Sequence, residues 1–162
     1  MRKINRLVIH CLDVTNGRPT TIRELDTWQA ERVMKRELAA REEPAIDRFN
    51  SKYPYVAYHF FLPCDGGVYA LRGEDEAGSH APGTNNDSLA AALVGRDAYT
   101  EEQWAALRGL VADVRRRYGD EIAIVGHRDW NPGRDCPGFS VSDWLKGEMA
   151  PLAGHILRGG HA

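Results

Sequence analysis

The chain has 162 residues and a formal net charge of −2 at pH 7. This length suits a single domain with a core of its own, and the charge balance argues against binding dominated by nucleic-acid phosphates, which usually requires a basic patch. The three cysteines are odd in number and far apart, which does not fit a disulfide framework, so we expect reduced thiols.

The N-terminal segment has neither the pattern of a leader nor that of a membrane anchor. A basic start is followed by an apolar run over residues 7–12 that is too short for a signal peptide and contains His10. No apolar stretch approaches the roughly 20 residues that a membrane-spanning helix needs. We therefore expect synthesis in the cytoplasm and no insertion into a membrane.

The first half of the chain predicts a strand, a helix and a hairpin. Helical spacing begins at Thr21, which can form a capping box with Glu24, and it ends before Pro44. The predicted elements are a strand over residues 7–12, a helix over 21–40, an aromatic-rich strand over 56–62, a hairpin turn over 64–67 and a returning strand over 68–71.

The second half alternates strands with helices after a long loop. Thr100 and Gln103 form a second capping box, and Gly119 is a suitable stop for the helix between them. The predicted elements are a loop over residues 73–87, a strand over 89–94, a helix over 100–118, a strand over 122–125 and a helix over 140–149. Loops of that length in compact domains are usually functional.

Together these elements predict one α/β domain over residues 1–150, with a central mixed β-sheet flanked by helices. Residues 151–162 contain Gly159 and Gly160 and are predicted to form a flexible tail. Sites in such sheets tend to lie beyond the carboxyl ends of strands. His10 and His127 both lie at such ends.

Three side chains could hold a metal ion. His127 directly follows an apolar strand, Cys136 follows a tight loop with Pro and Gly, and His10 ends another apolar run, with Cys11 pointing to the opposite face. Imidazole and thiolate are common zinc ligands, and three protein ligands leave the fourth position to water, whose pKa falls to about 7. The alternatives are a core histidine for His10, a loop-capping histidine for His127 and a buried thiol for Cys136.

Other polar residues could complete such a site. Tyr58 and His59 are strand neighbours, so only one of them can face it. Arg134 could place a permanent cation near the metal or be a solvated loop charge. His80, in the long loop, could line a substrate groove or be an ordinary exposed residue.

Four sequence blocks, taken together, resemble a known enzyme family. They are LVIHC at residues 7–11, AYHF at 57–60, GSHAPGTN at 78–85, and GHRD at 126–129 with DCPGF at 135–139. With these blocks the chain resembles the zinc-dependent N-acetylmuramoyl-L-alanine amidases of the phage-lysozyme and peptidoglycan-recognition-protein type. The blocks occur in the family's order and extend over most of the chain.

The resemblance implies a mixed sheet flanked by helices, one bound Zn²⁺, and cleavage of the amide between N-acetylmuramic acid and the first L-alanine of the stem peptide. In the family, a tyrosine at the position of Tyr58 polarises the carbonyl or steadies the zinc-bound water. The implied site residues are the zinc ligands His10, His127 and Cys136, the catalytic Tyr58 and Arg134, and the substrate-binding His80 and Asn85.

Three features depart from the family pattern. Arg134 replaces the usual lysine, and a guanidinium keeps the charge but is a poor proton donor. Ala90 stands where the family commonly has glycine, a packing change that we expect to be tolerated. The segment over residues 26–55 is longer than in compact phage enzymes, and it either extends the helix or borders the groove.

The sequence therefore predicts a monomeric peptidoglycan amidase, a phage or prophage endolysin that reaches the wall after release by a separate protein. One alternative is a non-catalytic peptidoglycan-binding module, but such modules typically lose the ligand that Cys136 provides. Another is a cysteine hydrolase that uses Cys136 with His127, which leaves His10 without a role. Enzymes of this fold that recycle wall fragments more often have Asp at the position of Cys136.

Overall fold

Five strands form one sheet in the computed structural model of the chain, which describes residues 2–36 and 49–159. They are β1 (Arg6–Cys11), β2 (Phe60–Leu62), β3 (Tyr69–Ala70), β4 (Ser88–Leu93) and β5 (Ala123–Gly126). Their order across the sheet is β3-β2-β4-β1-β5. Among these strands β3 pairs antiparallel with β2 and the other neighbours are parallel, so the predicted mixed sheet is confirmed.

The described residues also form four α-helices, which are α1 (Ile22–Gln29), α2 (Glu101–Tyr118), α3 (His127–Trp130) and α4 (Val141–Lys146). Both predicted capping boxes are present. The Glu24 amide donates to Thr21 Oγ1 at 3.1 Å, and the Gln103 amide donates to Thr100 Oγ1 at 3.0 Å. These bonds satisfy amides that a helix start leaves unpaired, which fixes where α1 and α2 begin. None of the helices in the described segments is both long and apolar enough to cross a bilayer.

Apolar side chains cover both faces of the sheet. Leu7, Ile9 and Cys11 of β1 belong to the larger cluster, which includes the buried face of α2. A smaller cluster surrounds Leu25 of α1 and includes Phe61 of β2. Because successive strand residues point to opposite faces, His10 faces away from α2. Cys11 is buried on the other side of β1, as the sequence predicts.

Strand β2 is shorter than predicted, since it begins at Phe60 rather than at Val56. The reason lies at Ala90 of β4, whose amide donates to His59 Nδ1 at 3.0 Å instead of to a carbonyl of the neighbouring strand. The His59 side chain thus replaces a rung of the ladder and interrupts regular pairing. Ala90 itself is fully buried at this point.

The helix predicted over residues 21–40 is also too long, because α1 ends at Gln29. Residues 37–40 lie outside the described part of the chain, but residues 30–36 leave the helical path. They bring the fully buried Arg36 side chain to the carboxylate of Glu76 at 2.8 Å and to the carbonyl of Asn50 at 2.6 Å. A buried guanidinium is costly unless it is paired and hydrogen-bonded, so these contacts override the helical periodicity.

The C-terminal segment, predicted to be flexible, makes regular contacts over its described residues 151–159. The Tyr99 amide donates to the carbonyl of His155 at 2.9 Å, and the Leu157 amide donates to the carbonyl of Tyr99 at 2.8 Å. The indole of Trp104 donates to the same His155 carbonyl at 3.1 Å. This part of the tail therefore lies against the start of α2 as a short strand-like extension.

Candidate metal centre

Two histidines meet where β1 and β5 end. These strands are parallel neighbours, so their carboxyl ends lie at the same edge of the sheet. His10 is the penultimate residue of β1, and His127 begins α3 directly after β5. Their ring centroids are 4.6 Å apart, with His10 buried and His127 half-buried. The predicted meeting of these two side chains is therefore present in the structure.

Cys136 joins the two histidines from the loop that connects α3 to α4. Its Sγ lies 3.8 Å from His10 Nδ1 and accepts a hydrogen bond from the Cys11 amide at 3.1 Å. One potential ligand atom from each of His10, His127 and Cys136 lies within 4.8 Å of the other two. The structure thus brings the three residues predicted as metal ligands to one point.

The chemistry and spacing of these donors fit a zinc ion. Two imidazole nitrogens and one thiolate are the nitrogen and sulfur ligands that Zn²⁺ prefers. Ligand atoms bonded at about 2.0–2.3 Å in a tetrahedron lie roughly 3.3–3.8 Å from one another. Separations of up to 4.8 Å need only small side-chain movements to reach that geometry.

The surroundings of the ligands keep the histidines neutral. Burial, together with His80 and His127, holds the pKa of His10 well below its usual range, and burial with the nearby Arg134 cation lowers the pKa of His127. A neutral imidazole has a lone pair to offer a metal. Hydrogen bonding with Cys11 and burial raise the pKa of Cys136, so its thiol stays protonated until a bound cation displaces the proton.

His80 is not an exposed loop residue, because it is buried beside His10. Its Nδ1 lies 2.8 Å from His10 Nε2, and its Nε2 lies 3.0 Å from Ser88 Oγ. Burial lowers the pKa of His80 to about 3, so this ring is also neutral. It lines the cavity beside the candidate metal centre and also contacts a candidate ligand directly.

Asn85 lies in the same loop as His80 and bonds to its backbone. Its carboxamide oxygen accepts hydrogen bonds from the amides of His80 and Ala81, both at 2.9 Å. The set of described residues that line the cavity does not include Asn85. Contact of Asn85 with a substrate stays a prediction, whereas its bonds to the loop show that it holds His80 in position.

Tyr58 and Arg134 both line the cavity. The ring of Tyr58 lies 5.1 Å from that of His10, while the neighbouring His59 is fully buried elsewhere, so Tyr58 is the member of the pair that faces the centre. Burial raises the pKa of Tyr58, which keeps its phenol protonated. Arg134 is exposed on the loop that carries Cys136, and its charge is felt at His127.

The cavity has a volume of about 830 Å³, a size typical of ligand sites. The lining residues that escaped the sequence reasoning include Gln29 and Arg32, around the end of α1, and Arg96, which pairs with Asp13 at 2.7 Å. No sequence signal separates such arginines from ordinary surface charges. Gln29 and Arg32 show that the longer segment over residues 26–55 borders the groove in its described part rather than extending the helix.

A mixed sheet with three potential metal ligands beside an open cavity is compatible with a single-metal hydrolase. A family model described as N-acetylmuramoyl-L-alanine amidase matches residues 1–139. The chain therefore belongs to the N-acetylmuramoyl-L-alanine amidase family. The activity that names this family is hydrolysis of the amide between N-acetylmuramic acid and L-alanine in peptidoglycan.

Known relatives agree with this assignment. An endolysin of Enterobacteria phage K11 is 29% identical over 157 residues, which cover 91% of this chain and 90% of the relative. The N-acetylmuramoyl-L-alanine amidase LysC from Clostridium intestinale URNW has a similar structure, with a TM-score of 0.69 at 22% identity over 93% of this chain and 88% of that chain. Drosophila PGRP-LB has a TM-score of 0.63 at 21% identity, and the match covers 100% of this chain and 88% of PGRP-LB. The two structural likenesses confirm the fold.

Proposed function

We propose that this chain is a zinc-dependent amidase of peptidoglycan that acts as a phage or prophage endolysin. The convergence of His10, His127 and Cys136 beside the cavity carries the zinc part of the proposal. Family membership supports the scissile bond, and the similarity to a phage endolysin over most of both chains supports the biological setting. The wall of the host is then the place of action, after release from the cytoplasm by another protein.

Each side chain at the centre has a part that its chemistry allows. Zinc held by the three ligands would polarise the carbonyl of the scissile amide and lower the pKa of a coordinated water to about 7. Tyr58, kept protonated by burial, can donate a hydrogen bond to the carbonyl oxygen as negative charge develops there. Arg134 adds a permanent positive charge to the same wall of the cavity.

Two alternative functions explain fewer of these features. A non-catalytic recognition module needs the cavity but gives no reason for three metal-binding side chains to converge. A cysteine hydrolase needs a nucleophile whose pKa is lowered, whereas the hydrogen bond with Cys11 and burial raise the pKa of Cys136. The zinc amidase uses the ligands, the phenol and the arginine together.

The test measures zinc content by mass spectrometry of the purified protein, and release of free stem peptides from purified peptidoglycan. We expect about one zinc per chain in the wild type, with stem-peptide release that a chelator abolishes. Cys136→Ala should lose both zinc and release, because two histidines alone hold zinc weakly.

Cys64→Ala is the matched control, since Cys64 lies in the hairpin turn and its Sγ contacts the carbonyl of Arg18 at 3.9 Å, away from the centre. It should keep zinc and activity. Release that persists in Cys136→Ala or in chelator would contradict the zinc mechanism. Retained binding to peptidoglycan, with neither zinc nor release in the wild type, would support the recognition module instead.

A further inference from the structure

A chain of four hydrogen-bonding groups leads away from the metal centre into the protein. His10 Nε2 lies 2.8 Å from His80 Nδ1, and His80 Nε2 lies 3.0 Å from Ser88 Oγ. The hydroxyl of Ser88 in turn donates to the carbonyl of Thr84 at 2.7 Å. All four residues are buried, with Ser88 and Thr84 at 0% and 1% exposure. Solvent therefore has little access to replace a member of this chain.

The Thr84 end of this hydrogen-bonded series determines where every proton lies. A backbone carbonyl can only accept, so the Ser88 hydroxyl donates its single proton to Thr84. Ser88 Oγ must then accept from His80, which places the proton of His80 on Nε2. The bare His80 Nδ1 can only accept, so the proton of His10 lies on its Nε2. His10 Nδ1 is left with a free lone pair, and this is the atom 3.8 Å from Cys136 Sγ.

We propose that His80 is a positioning residue of the metal site, which fixes His10 in the tautomer and ring orientation that present Nδ1 to the metal. The Thr84 carbonyl sets this tautomer through Ser88 and His80. The inference rests on the proposed function, because it assumes that His10, His127 and Cys136 hold zinc. It assigns His80 a role beyond lining the groove. Outer hydrogen-bond partners of metal-binding histidines commonly have this effect.

The loop that carries His80 is built to keep the ring in place. The Asn85 carboxamide oxygen accepts from the His80 amide, which holds the backbone. At Gly78 the loop passes so close to its neighbours that an added Cβ would lie 2.6 Å from His80 Cδ2 and 3.0 Å from the carbonyl oxygen of Ala57. The Gly78 backbone therefore lies close against the His80 ring, and with the bond to Asn85 it restricts how far the imidazole can turn away from His10.

The first experiment measures the zinc dissociation constant by competition with a chromophoric chelator. His80→Ala should weaken zinc binding by about 10- to 100-fold, and Ser88→Ala should weaken it by about tenfold, because each removes a link to Thr84. His80→Asn should recover much of the loss, since its Oδ1 stands near the position of the imidazole Nδ1 and can accept from His10. Thr100→Ala is the control: it loses a buried hydroxyl in the cap of α2, away from the centre, and should bind zinc like the wild type.

The second experiment reads the tautomer directly. Long-range ¹H–¹⁵N NMR of the zinc-free wild type should show the His10 proton on Nε2, and Ser88→Ala should populate the form with the proton on Nδ1. A wild-type His10 protonated on Nδ1 would overturn the inference. Unchanged zinc affinity in a folded His80→Ala variant would also overturn it. If that variant then showed only a raised KM, the role of His80 would be substrate binding. A wild type that binds no zinc would instead defeat the proposed function.

Discussion

A methyl group added at Gly138 would push the loop that carries Cys136 away from the neighbouring loop of Arg96 and Asp97. Gly138 has a φ of +84°, and a Cβ built on it would lie 2.3 Å from the carbonyl oxygen of Arg96 and 2.7 Å from the Cα of Asp97. Both nearest atoms are backbone, so no side chain can rotate away to make room. Gly138→Ala therefore combines backbone strain with a steric clash two residues from a candidate ligand.

The structure allows these two costs to be separated. A left-handed conformation costs a non-glycine residue roughly 1–2 kcal/mol, and overpacking a tight contact costs roughly 1–3 kcal/mol. We expect Gly138→Ala to lose about 2–5 kcal/mol of unfolding free energy. Gly154 has the same φ of +84° but no heavy atom within 4 Å of its added Cβ. Gly154→Ala should therefore lose only the strain, about 1–2 kcal/mol.

Urea unfolding followed by tryptophan fluorescence measures both variants under the same conditions, with chelator present so that zinc does not contribute. A difference of at least about 1 kcal/mol between them is the expected steric contribution. Equal losses would refute the reasoning, since the close approach to the loop of Arg96 would then contribute nothing. With zinc added, Gly138→Ala should also bind the metal more weakly than Gly154→Ala, because the clash displaces Cys136.

Four further changes test other parts of the structure. Tyr58→Phe should lower kcat by about 100-fold, as for loss of one oxyanion donor, and leave zinc content unchanged. Arg134→Lys should keep most of the rate of stem-peptide release and Arg134→Ala should not, because the charge is what acts. Thr100→Ala should lose about 1 kcal/mol in urea unfolding, as for other helix caps. His59, whose pKa burial holds well below its usual range, takes up a proton on unfolding below about pH 6.5. Stability should therefore fall as the pH falls, and between pH 6 and 5 His59→Gln should reduce that slope by about 1.2 kcal/mol per pH unit.

Local sequence patterns predicted most of the fold. Helix α2 begins at its predicted capping box, and the apolar residues that repeat along it at the helical period are buried. The carboxyl ends of β1 and β5 were predicted to within one residue, and a histidine lies within one residue of each end. Since the two strands are parallel neighbours, histidines at the same ends of both strands lie close together. Cys136 followed from the tight loop that returns the chain to the same edge.

Tertiary contacts explain what the sequence did not predict. The helical period continues past Gln29, yet α1 ends there because Arg36 is drawn into a buried ion pair with Glu76. The predicted strand start at Val56 failed because a side chain, that of His59, takes the place of a backbone acceptor. Neither effect leaves a local signature, since each depends on a partner far away in the chain.

The loop over residues 73–87 links the wall of the cavity to the candidate metal ligands. His80 presents one side of its ring to the cavity and bonds to His10 with Nδ1, while Asn85 fixes the backbone that carries it. The loop ends at Ser88, which begins β4, the strand paired with β1. A movement of the cavity wall at His80 would therefore reach the candidate ligand His10 through one hydrogen bond. Substitutions that reshape this wall for another stem peptide should change zinc affinity as well as substrate binding.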